Sequence, residues 1–199
     1  MKTRKILFIT LGLLLCTSLF AQNAKSVLDK TAAIVGRKGG AAANFAINSQ
    51  HYGNISGTIA IKGNKFKAVT PQSTVWYDGK TQWAYMKGTN EVNISTPNEA
   101  QRLSMNPYTF LSIYKNGYNL SMKTGANYQI HLKAIHPARS VQELYITITK
   151  RYQPQQIKML QGGKWITIKI SNFKAINQSD NLFRYNAKET KGAEVIDLR

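Results

Sequence analysis

From Phe45 to Ile176 the chain places apolar residues at every second position in short runs, and a period of two leaves little but pleated sheet as an outcome. Phe45 and Ile47 alternate with Asn44, Ala46 and Asn48, while Ile55, Gly57, Ile59 and Ile61 alternate with Ser56, Thr58, Ala60 and Lys62. The same beat returns in Tyr128-Ile130-Leu132, Leu144-Ile146-Ile148 and Ile157-Met159. It is cleanest where Ile166, Ile168 and Ile170 alternate with Trp165, Thr167 and Lys169. A short strand is also predicted at Phe183-Tyr185, which brings the expected total to about eleven.

Turn residues separate the early runs at the spacing of an antiparallel meander: Gly63-Asn64, Pro71-Gln72, Asp78-Gly79 and Gly88-Thr89. Asp78-Gly79 suits a tight hairpin turn whose central residues both have positive φ. Such a turn pairs Val75-Trp76-Tyr77 with Lys80-Thr81-Gln82, sets Trp76 opposite Thr81, and puts Thr81, Trp83 and Tyr85 on the face of Trp76. Trp83 and Tyr85 are then expected on the concave, apolar side of the sheet, with Phe45 and Ile59 or Ile61. Ordinary core packing and ligand contact explain such an aromatic wall equally well.

Two parts of the chain break the alternation. Lys2, Arg4 and Lys5 precede an apolar run from Ile6 to Phe20, which closes on Leu19-Phe20-Ala21 before polar Gln22. This has the form of a secretory signal peptide, because the run is shorter than the roughly 20 apolar residues a membrane span needs. Residues 1–21 are expected to be removed, leaving 22–199 as one domain that begins at Gln22. Cys16, the only cysteine, would leave with them, so the exported chain has no disulfide and no thiolate. Leu15 and the apolar run around Cys16 do not fit a lipid-modified cysteine.

Helical periodicity appears in Val27, Leu28, Thr31, Ile34 and Val35, with Asn23 as a cap and Gly36 as a stop. A second interruption begins at Thr96-Pro97-Asn98-Glu99, a capping threonine followed by proline and then glutamate, and a third at Asn106-Pro107, stopping near Gly117. These short helices carry Leu103, Met105, Tyr108, Phe110, Leu111, Ile113 and Tyr114, more apolar surface than a solvated linker needs. The predicted class is α+β, dominated by antiparallel sheet.

Little in the sequence suggests chemistry. His51, His131 and His136 lack metal-ligand spacing, the acidic residues form no local pair, and no nucleophile elbow, phosphate loop or dinucleotide fingerprint occurs. No catalytic residue, metal or cofactor is therefore expected. Charge is the compositional anomaly: losing Lys2, Arg4 and Lys5 would leave 24 of the 27 Lys and Arg residues against 9 Asp and Glu. Export and the even spread of cations from Lys25 to Arg199 argue against nucleic acid. An acidic protein, an anionic membrane surface and a merely soluble basic surface remain open.

The stretch Trp76-Tyr77-Asp78-Gly79-Lys80-Thr81-Gln82-Trp83-Ala84-Tyr85 resembles the central hairpin of the periplasmic lipoprotein carrier family LolA. Gly57-Thr58-Ile59-Ala60-Ile61-Lys62 with Phe66 resembles the strand pair before that hairpin, and Asn90-Glu91-Val92-Asn93-Ile94 the strand after it. Asn106-Pro107 with Phe110-Leu111 resembles the lid helices, and Gly192-Ala193-Glu194-Val195-Ile196-Asp197 the closing strand. The resemblance implies an unclosed antiparallel β-barrel of about eleven strands, with short α-helices forming a lid over a hydrophobic cavity. It implies a monomeric periplasmic carrier of lipoprotein acyl chains, with an inner-membrane ABC transporter as donor and an outer-membrane acceptor. The alternatives are a carrier or sensor of another lipid or amphiphile on the same scaffold, and a secreted structural or adhesive β-protein.

On this reading the cavity is lined by Phe45, Ile47, Ile59, Ile61 and Phe66 from the early strands and by Trp76, Trp83, Tyr85, Val92 and Ile94 around the hairpin. Leu103, Met105, Phe110 and Leu111 would hold the lid. The family's Arg-Pro pair, whose arginine helps hold the lid, is replaced by Lys62-Gly63-Asn64, so that latch is absent or supplied by Lys62. Phe183-Arg184-Tyr185-Asn186-Ala187 stands where the family has Phe-x-Phe-x-Pro-Pro. These departures and Gln22 after the cleavage site resemble a divergent branch of the Bacteroidota kind.

Overall fold

The protein is described by a computed structural model over residues 23–49, 53–98 and 113–199. Residues 23–35 form helix α1, in which Asn23, expected as a cap, is already helical. Its buried side chains, Ala24, Val27, Leu28, Thr31 and Val35, recur at helical spacing. Buried Thr31 stays satisfied by donating Oγ1–H to the Val27 carbonyl at 2.9 Å. The helix ends at Gly36, whose amide donates to the Ala32 carbonyl at 2.8 Å.

Twelve strands follow: β1 (Ala41–Ser49), β2 (Gly53–Lys62), β3 (Lys65–Val69), β4 (Ser73–Tyr77), β5 (Gln82–Met86), β6 (Glu91–Ser95), β7 (Tyr118–Thr124), β8 (Tyr128–Ala134), β9 (Val141–Ile148), β10 (Pro154–Gln161), β11 (Lys164–Ala175) and β12 (Glu194–Asp197). They form one sheet in the order β12-β6-β5-β4-β3-β2-β1-β11-β10-β9-β8-β7. β1 to β6 meander one way from the centre, and β7 to β11 return to the other side of β1. All pairs are antiparallel except β12 on β6. The edge strands β7 and β12 do not pair with each other, so the barrel is unclosed.

The hairpin at Asp78-Gly79 differs from expectation. Residues 78–81 form the loop, so Tyr77 faces Gln82 and Trp76 faces Trp83 rather than Thr81. The Asp78 carboxylate is the cause: Oδ1 accepts the amides of Lys80 at 3.0 Å and Thr81 at 2.9 Å, which withdraws both residues from the ladder. Gly79, at φ +102°, completes the turn. Lengthening the loop by two residues preserves side-chain parity, so Trp76, Trp83 and Tyr85 still share a face.

The strand predicted at Phe183-Tyr185 is absent. Asp180–Phe183 and Ala187–Glu189 are 3-10 turns within a C-terminal strap, residues 176–193, that leads to β12. Phe183 is 0% exposed and the ring of Tyr185 packs edge-on against Trp76, so both aromatics point at the sheet from a non-strand backbone.

Candidate functional site

Register assigns every side chain of the sheet to one of two faces. On the inner face Ile61 lies opposite Phe66 and Phe66 opposite Tyr77, while Ile59 lies opposite Ala68 and Ala68 opposite Val75. Phe45 lies opposite Gly57 on one side and Ile170 on the other. The same row crosses the sheet through Ile168, Ile157, Ile146 and Ile130. These residues and the buried side of α1 belong to one apolar cluster, flanked by half-buried Ile47, Ile55, Leu120 and Met122. Towards β5 and β6 the face turns polar, with Gln82, Asn93 and Ser95 at the inward positions. The apolar surface therefore spans β1 to β4 and β7 to β11.

Of the expected cavity residues, Phe45, Ile47, Ile59, Ile61 and Phe66 meet on this inner face. Trp76, Trp83, Tyr85, Val92 and Ile94 do not: Lys67 lies opposite Trp76, Trp76 opposite Trp83, and Trp83 opposite Ile94, all on the other side of the sheet. Tyr85 and Val92 share that outer side. Trp76 and Val92 are buried there without joining the inner cluster.

The C-terminal strap explains the error. It covers the outer face at Trp76 with Tyr185, ring centres 5.6 Å apart. Lys67 lies 5.0 Å from the Trp76 ring centre and pairs with Glu189 at 2.7 Å. Apolar side chains are thus buried on the inner face at β1 to β4 and on the outer face at β4 to β6, and alternation cannot say which side is inner. Lys62, the expected stand-in for the lid arginine, instead holds the strap through Asp180 at 3.1 Å and the Gln178 carbonyl at 3.1 Å. Lys65 adds a second contact to Asp180 at 2.8 Å, and together they keep that carboxyl below its ordinary pKa.

Leu103, Met105, Phe110 and Leu111, with the lid helices expected to carry them and the expected signal segment, lie outside the described residues. Just beyond them, buried Tyr114 donates its hydroxyl proton to Asp29 of α1. Burial and this bond push the Tyr114 pKa up, while the bond, followed by Lys25, holds Asp29 below the ordinary carboxylate value of 3.8. A carboxyl lowered in the folded state contributes stability that is present at neutral pH and lost as pH falls through the folded value. Tyr114→Phe should therefore lower the Tm at about pH 6 more than at about pH 3, read from thermal unfolding. An equal loss at both would show that the Asp29 bond does not hold α1.

Sequence reasoning overlooked the inward rows of β8 to β11, although their alternation was plain. It centred the site on the hairpin, away from the longest continuous apolar surface. Among the described residues no three His, Cys, Asp or Glu side chains gather as a metal site. His131 lies on the outer face, stacked on Tyr145 at 4.3 Å with Glu143 at 3.5 Å.

An unclosed barrel whose inner face is apolar over β1 to β4 and β7 to β11, with a helix laid against it, is the architecture of a half-barrel lipid or lipoprotein carrier. A sequence profile of the outer membrane lipoprotein carrier protein LolA matches residues 15–163, and the chain belongs to that family. Among solved structures, an uncharacterized conserved protein from Thermus thermophilus is similar at TM-score 0.60 and 15% identity, over 88% of this chain and 99% of that one, which shows a shared fold. A LolA superfamily protein from Nitrosomonas europaea is similar at TM-score 0.45 and 12% identity, over 81% and 97% of the two chains. A search of curated proteins returns no match.

Proposed function

We propose that residues 22–199 form a periplasmic carrier, exported by removal of residues 1–21, which shelters the acyl chains of a lipoprotein between the inner and outer membranes. The observation that carries this reading is the apolar inner face, continuous from β4 through β1 to β7 in a sheet whose edges do not meet. Phe45, Ile47, Ile59, Ile61 and Phe66 contact the acyl chains, and Leu103, Met105, Phe110 and Leu111 close over them. Each buried methylene contributes about 0.8 kcal/mol, so a long chain is held without any covalent step. An inner-membrane ABC transporter supplies the cargo and an outer-membrane acceptor of higher affinity receives it, because transfer follows the difference in affinity. The carrier acts as a monomer and performs no catalysis.

Mass spectrometry of material copurifying with the exported protein tests this. A peptide with a triacylated N-terminal cysteine is the expected cargo. Phospholipid alone would replace the lipoprotein with another amphiphile, and protein free of any lipid would overturn the carrier reading.

A further inference from the structure

At one end of the sheet, where α1 passes the loop 149–153 between β9 and β10, two lysines and two tyrosines meet beside the apolar inner face. Tyr128 opens β8 in the same inward row as Ile130 and Leu132, and Tyr152 projects from the loop. Their rings stack at 5.9 Å with 11° between planes, and both pack against the inner cluster. Lys30 of α1 donates to the Tyr152 hydroxyl at 3.2 Å and lies 4.9 Å from that ring centre. Lys150 lies 4.2 Å from the ring centre of Tyr128.

The loop is built to hold this arrangement. Tyr152 has φ +60°, a conformation that L side chains rarely adopt and that persists only when its surroundings enforce it. Thr149 enforces it: Oγ1 accepts the amides of Arg151 at 3.2 Å and Gln153 at 3.1 Å, and the Thr149 carbonyl accepts the amide of Tyr152 at 2.9 Å. Each lysine also acts on the tyrosine beneath the other. Tyr152 is held below its ordinary pKa by Lys30 first, with Tyr128 and Lys150 adding to the effect. Tyr128 is raised by desolvation first and then by Tyr152, with Lys30 opposing.

What the cluster lacks is negative charge. Lys25, Lys62, Lys65 and Lys67 each meet a carboxylate, whereas Lys30 and Lys150 have none among the described residues. Ring faces and a phenol satisfy a cation only in part, which leaves the charge available to an anion. We infer that Lys30 and Lys150, set on the Tyr128–Tyr152 stack, bind an anionic group carried next to the acyl chains of the cargo, whose apolar part lies on the inner face. The inference rests on the carrier reading and narrows its cargo to molecules with a negative headgroup next to their acyl chains.

Calorimetric titration of the exported chain with short-chain dihexanoylphosphatidylglycerol, uncharged dihexanoylglycerol and glycerol 3-phosphate tests it. The anionic lipid should bind about tenfold more tightly than the neutral one, and raised salt should weaken only the anionic lipid. Lys30→Gln with Lys150→Gln should erase the advantage and leave dihexanoylglycerol binding within about twofold. Equal affinities for the two lipids in the unaltered protein, or an advantage that survives both substitutions, would overturn the subsite and leave the carrier intact. Glycerol 3-phosphate binding as tightly as the anionic lipid would make this a free-phosphate site, overturning its link to the inner face. Failure of both lipids to bind would overturn subsite and carrier together.

Discussion

Replacing Trp76 by alanine should lower the unfolding free energy by about 3–5 kcal/mol, while the folded protein keeps its affinity for a fluorescent acyl probe within about twofold. Trp76 is 1% exposed and lies on the outer face, between Lys67 and Tyr185. Truncating it opens a cavity under the strap and loosens Lys67, Glu189 and Tyr185 together, so the loss falls at the large end for an aromatic. The inner face carries none of these groups. The indole Nε1 is buried and finds no acceptor among the described residues, so Trp76→Phe removes an unsatisfied donor as well as volume and should cost clearly less than alanine. Chemical denaturation and probe titration read the two quantities separately. Lost acyl affinity at unchanged stability would put Trp76 on the ligand side and refute the face assignment.

Gly57→Ala should destabilise by about 3 kcal/mol, the upper part of the usual range for overpacking, or prevent folding altogether. A β carbon at Gly57 would lie 2.1 Å from the Val69 carbonyl oxygen and 3.0 Å from Cζ of Phe45. The Phe45 ring can rotate away, but the Val69 carbonyl belongs to β3 and cannot move without breaking the pairing with β2. Gly88→Ala is the control, since nothing lies within 4 Å of its β carbon. It should be nearly neutral in urea unfolding. A neutral Gly57→Ala would mean that β2 and β3 part at this point.

The carrier fold was legible because its signals are local. Alternation in β1, β2 and β8 to β11 sets strand and pleat within a few residues, and the periodicity of Val27, Leu28, Thr31 and Val35 sets α1 in the same way. The hairpin loop was misjudged by two residues because the Asp78 side chain competes with the ladder for the amides of Lys80 and Thr81. The short apolar alternation at Phe183-Tyr185 marks burial of side chains, without a strand to carry them.

Residue pattern alone was enough to make most of 41–175 sheet, to set a helix before it, and to give each strand an apolar row. The family was readable in the same way, through the hairpin and the order of elements around it. Which row looks inward was settled only in three dimensions. Period-two alternation specifies that one side of a strand is buried and is silent about what buries it. Phe45, Ile59 and Phe66 meet α1 and the inner cluster, whereas Trp76 meets a strap that lies far along the chain, at Tyr185. The Lys30–Tyr152–Tyr128–Lys150 cluster is likewise invisible in sequence, because its contacts join α1, β8 and a loop that only folding brings together.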